Sequence, residues 1–99
     1  MEKEHVPPPF YNEINIIKNE LKECLDEQKF GYDIDIDNGV LIISLNPKSE
    51  FKDSIEIFQV CDDISKQIAK LLNINEKLNL KAKVEYTYVG TVEIVLRRL

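Results

Sequence analysis

Three aspartates, Asp33, Asp35 and Asp37, alternate with Ile34 and Ile36 in GYDIDIDNGVLIISL, residues 31 to 45. Carboxylates at this spacing match the first three ligand positions of an EF-hand calcium loop. The rest of that loop does not follow. Its sixth position needs glycine for a sharp turn and is Asn38; its twelfth needs a bidentate glutamate and is Ser44. Read as a β-hairpin, the same stretch fits throughout. Asn38-Gly39 is the preferred pair for a two-residue type I′ turn. It sets Ile36 against Leu41, Ile34 against Ile43 and Tyr32 against Leu45 on one face, with Asp37 against Val40, Asp35 against Ile42 and Asp33 against Ser44 on the other. Aspartates two apart on a strand are about 7 Å from each other, too far for all three to hold one ion at about 2.4 Å. No metal is expected here.

Other chemistry is sparse. Cys24 and Cys61 fall at apolar positions of helical patterns and are expected as buried, reduced thiols. The single histidine, His5, lies in an amino-terminal arm, so zinc-finger ligation and histidine-based triads are excluded. Gly31, Gly39 and Gly90 each mark a turn or a helix end, and none opens a phosphate-binding loop. Carboxylates are plentiful, but acid–base catalysis needs an enclosed site that drives their pKa values apart. A non-enzymatic chain without cofactors is expected.

The elements that position these residues follow from periodicity. Residues 1–10 carry Pro7, Pro8 and Pro9 and read as a flexible arm; residues 11–99 read as one domain. Phe10, Ile14, Ile17, Leu21, Cys24 and Leu25 make a helical stripe, with Asn12 as its cap and Gly31 as its stop. Phe51, Ile55, Phe58, Cys61, Ile64, Ile68, Leu71 and Leu72 make a second, capped by Ser49 or Asp53. Within it SIEIFQV, residues 54–60, is rich in β-formers and is alternatively an extra strand. LNLKAKVEYTY and TVEIVLRRL then alternate as strands. A loop of Val89, Gly90 and Thr91 sets Tyr88 against Val92, Tyr86 against Ile94 and Val84 against Leu96, turning both tyrosines inward.

The order helix, hairpin, helix, hairpin predicts an α+β two-layer sandwich, αββαββ, with both helices on one face of a four-stranded, mainly antiparallel sheet. The far face stays open. It presents Asp33, Asp35, Asp37, Val40 and Ile42 from one hairpin and Lys81, Lys83 and Arg97 from the other. Apolar residues among those carboxylates point to a protein contact, with a partner or a second copy whose basic strands would meet the acidic ones. The last strand offers an edge for strand addition.

Charge is uneven. Residues 1–63 hold fifteen acids against six bases, and residues 64–99 hold three acids against seven bases. The basic end, with Lys81, Lys83, Arg97 and Arg98, makes nucleic acid the alternative partner. The ending KVEYTYVGTVEIVLRRL after an amphipathic helix resembles the final helix and hairpin of the Alba family of chromatin and RNA-binding proteins, which implies the same alternative. An acidic helix followed by DIDIDNGVLIISL is similar to the start of frataxins, acidic iron-handling proteins, although the chain has no tryptophan. No apolar run is as long as a membrane span, and MEKEHVPPPF lacks the core of a secretory leader, so a cytoplasmic location is expected.

Overall fold

The computed structural model describes residues 11–48 and 54–99. The first helix, α1 (Tyr11–Cys24), buries Ile17 and Leu21 completely and Ile14 in part. It starts two residues earlier than a cap at Asn12 would place it, so Asn12 lies within the first turn. It also ends earlier than Gly31. Asp26 turns the chain instead: its carboxylate accepts from the Gln28 N–H at 3.0 Å, and its carbonyl accepts from Lys29 and Phe30, both at 2.9 Å. Cys24 is therefore exposed at a helix end, not buried in the stripe, while Cys61 is buried as expected.

Gly31 is the second residue of β1 (Phe30–Asp37), where a Cβ would stand 3.2 Å from the Lys48 side chain. β2 (Val40–Pro47) pairs with β1 in the register set by Asn38-Gly39, from Asp37 opposite Val40 to Tyr32 opposite Leu45. Both turn residues have positive φ, 52° at Asn38 and 77° at Gly39, as a type I′ turn requires.

Residues 54–60 are helical, not a strand. They open α2 (Ser54–Ile74), in which Ile57, Phe58, Cys61, Ile68, Ala69 and Leu72 keep one face on the core. The unbroken three-and-four spacing outweighs the local β propensity. Ser49 and Asp53, the expected caps, lie outside the described residues, as does the arm of residues 1–10. On the same helical face Ser65 is buried, and its hydroxyl has no hydrogen-bond partner among the described residues.

β3 (Leu80–Tyr86) and β4 (Val92–Arg98) form the second hairpin, in a register two residues from the expected one. Tyr86 faces Val92, Val84 faces Ile94 and Ala82 faces Leu96. An even slip keeps the apolar faces together, so alternation alone does not choose between the two. The loop chooses. Thr87 and Thr91 hydroxyls lie 2.6 Å apart, the Thr91 N–H donates to Thr87 Oγ1 at 3.1 Å, and the Thr87 N–H donates to the Thr91 carbonyl at 2.9 Å. Tyr88 is thereby left outside the pairing and fully exposed, and Tyr86 is 52% exposed. Tyr88 therefore does not face the core, whereas Tyr86 lies on the helix side of the sheet and is only partly covered.

The sheet order is β1-β2-β4-β3, every neighbour antiparallel. The last strand is thus interior, and the edges are β1 and β3, which removes β4 as a site for strand addition. The edges are protected differently. β1 carries its three aspartates. On β3, Asn73 of α2 clamps Ala82: its Nδ2 donates to the Ala82 carbonyl at 2.9 Å and its Oδ1 accepts from the Ala82 N–H at 2.7 Å. Leu41, Ile43, Ile94 and Leu96 on the two inner strands are fully buried in one core with Ile17, Leu21, Ile68 and Leu72 of the helices. Each contributes about 1.5–3 kcal/mol by leaving water.

Candidate interaction surface

With the helices on one face, the side chains of opposite parity fill the other. Asp33, Asp35 and Asp37 are exposed on the β1 edge, and Val40 and Ile42 are half-buried on β2 beside them. Across the sheet, Ile42 lies opposite Val95 and Val95 opposite Lys83. The central rung therefore reads Asp35, Ile42, Val95, Lys83: an acid, two apolar residues, a base. Toward one end come Asp37, Val40, Arg97 and Lys81, an acid, one apolar residue and two bases, with Lys81 opposite Arg97. At the other end Asp33, Ser44, Glu93 and Glu85 are all polar or acidic.

Val95 is only 3% exposed despite facing away from the helices. An ion pair spans the two strands beside it. Arg97 Nη1 reaches Glu85 Oε2 at 2.9 Å, and these two residues flank the Val95–Lys83 pair on either side. Arg97 is thus tied into the face. Lys81 and Lys83 form no ion pair among the described residues. Arg98 points to the helix side, where its guanidinium lies 3.6 Å from Glu13, so the four basic residues do not form one cluster. On the acidic edge Asp33 accepts from Asn46 Nδ2 at 2.7 Å. Among the described residues no three His, Cys, Asp or Glu side chains converge as a metal site.

A second constellation is hidden in the sequence because its members are 24 residues apart and the expected register buries one of them. The Tyr86 hydroxyl donates to Asp62 Oδ1 at 2.6 Å, and Lys66 Nζ lies 3.0 Å from Asp62 Oδ2. The Tyr86 hydrogen bond, then that from Lys66, hold the Asp62 carboxyl below its usual range; the same carboxylate pushes the Tyr86 phenol up. Tyr86 also lies against Phe58, ring centres 5.9 Å apart. Beside it, an apolar cleft of about 340 Å³ opens between α2 and the β3–β4 loop, lined by Leu45, Pro47, Ile57, Phe58 and Val92, with Cys61 at its wall. Burial pushes the Cys61 thiol up; partial burial, then Glu20 and Glu23, does the same at Cys24, so neither is an activated nucleophile.

No helix among the described residues is long and apolar enough to cross a membrane. No protein-family model matches the chain, and comparison with curated proteins and with solved structures finds no similar one.

Proposed function

We propose that this chain is a non-enzymatic protein-interaction module, a small subunit, adaptor or inhibitor, that meets another protein surface through the open face of its sheet. One observation carries the reading. No described element covers that face, and it sets Val40 and Ile42 between an acidic edge and a basic one. An apolar centre with a charged rim is the usual anatomy of a protein contact. The chemistry of the remaining groups supports the non-enzymatic part. The Asp62–Tyr86–Lys66 cluster lies on the surface, and its carboxyl is held down while its phenol is pushed up, both away from the neutral range that a general acid or base needs.

The test is Ile42→Asp, which places a charge at the centre of the face. Circular dichroism should be unchanged while capture of the bound protein, or self-association seen by light scattering, is lost. Unchanged assembly and unchanged capture together refute the reading.

A second reading, nucleic-acid binding, draws support from exposed Tyr88 and from Lys81 and Lys83. Here Lys81→Glu with Lys83→Glu should abolish a gel shift that already weakens steeply with salt. No shift at low salt removes it.

A further inference from the structure

We infer that the occupant of the open face is a second copy of this chain, related by a two-fold axis lying between the sheets and parallel to the strands. The inference rests on the reading of that face as the contact surface, and it adds the partner and the orientation. Charge order is the argument. Turning a copy about an axis along the strands exchanges left for right, so its β3 edge lies over the first copy's β1 edge. Asp35 then meets Lys83 of the second copy, Asp37 meets Lys81, and the two Ile42 side chains lie near the axis, each over the other copy's buried Val95 and its Arg97–Glu85 pair; symmetry makes every contact twice. An axis across the strands sets β1 over β1 instead. Asp35 would meet Asp35, and Lys83 would meet Lys83. Like charges so placed cost several kcal/mol, so the first axis is selected.

One like-charge approach remains, Asp33 toward Glu85 of the second copy. Both groups are already engaged: Asn46 donates to Asp33 at 2.7 Å and Arg97 to Glu85 at 2.9 Å. Aligned sheets pack about 10 Å apart and about 30° askew, within reach of a lysine to an aspartate across the gap. The face is about 19 Å by 25 Å from strand spacing and rise. Two copies thus bury about 1,000 Å², the lower end for a specific interface. The dimer is accordingly weak, reversible and salt-sensitive.

The test uses two charge-swapped full-length chains, Asp35→Lys with Asp37→Lys, and Lys81→Asp with Lys83→Asp. Each alone presents like charges at both edges and should sediment as a monomer. Mixed, they regain complementarity at both edges and should form a one-to-one heterodimer. The unaltered chain should self-associate, with a dissociation constant that rises about tenfold between 50 and 500 mM sodium chloride. Either swapped chain dimerising alone as well as the unaltered one overturns the orientation. An unaltered chain that stays monomeric at low salt and several hundred micromolar overturns the second copy as occupant. Ile42→Asp separates that failure from failure of the underlying reading: if it still abolishes capture of a different protein, the face is a contact surface with another occupant. Should a double swap not fold, the single swaps Asp35→Lys and Lys83→Glu at the central rung replace it. Each should again be monomeric alone and pair with the other when mixed, and self-association of either overturns the orientation in the same way.

Discussion

The two hairpins have strands of seven or eight residues and one apolar face each, but different devices close them. Between β1 and β2 the backbone reverses over two residues, both at positive φ. Between β3 and β4 five residues intervene, and two threonine side chains draw the loop together. A tight turn dictates which residues face each other before any tertiary contact forms. A longer loop permits several even registers, and the choice passes to side-chain hydrogen bonds and to the helix packed above. In this molecule α2 packs on β3 and β4, and Asn73 fastens the outer one. The first hairpin is specified locally and the second by its neighbours.

The largest test of that contrast is at the seam between hairpins, where Ile43 lies opposite Ile94 and both are fully buried. Ile94→Ala should lower the unfolding free energy in urea by about 2–5 kcal/mol. Both hairpins should melt together, because β2–β4 is the only strand pairing that joins them among the described residues. Asn73→Ala comes next. It leaves the Ala82 N–H and carbonyl without their partner, at a cost of about 1–3 kcal/mol. Amide exchange should quicken along β3 and stay unchanged in β1 and β2; uniform acceleration would show that Asn73 acts on the whole fold.

A smaller effect separates the turns. Gly39 (φ 77°) and Gly90 (φ 89°) have open space around the missing Cβ, so an alanine at either is opposed by backbone strain alone. Gly39→Ala should cost about 1–2 kcal/mol by thermal melting. Gly90→Ala should cost less, because five loop residues can share the adjustment. Equal losses would remove the contrast.

The smallest is a titration. Because the Asp62 carboxyl is held below its unfolded value, its contribution to stability is complete above the usual aspartate range and is lost as pH falls through the lowered pKa, below about pH 4. In Tyr86→Phe the carboxyl resonance should titrate at higher pH than in the unaltered chain. No movement would mean that Lys66 alone sets it.

The same contrast explains what the sequence discloses. Every partner in the first hairpin is legible from Asn38-Gly39 and the alternation around it. In the second, the alternation of LNLKAKVEYTY is just as clear, yet it fixes only the face of each residue and not its partner. The open face and its residues are legible because they depend on parity. The interior place of β4 is not, since no local pattern encodes strand order. Nor is the exposure of Cys24, which depends on where Asp26 breaks the helix. Long-range groupings such as Tyr86 with Asp62 need the register first, and a shift of two residues is enough to hide them.

The strand translated last of the four occupies an inner position in the sheet. During synthesis the first hairpin can zip up while residue 92 is still unmade, leaving the inner flank of β2 bare until β4 arrives. Ribosome-bound intermediates of this chain would therefore expose a sticky strand for the time it takes to add some 45 residues, a few seconds at about 5–20 residues per second.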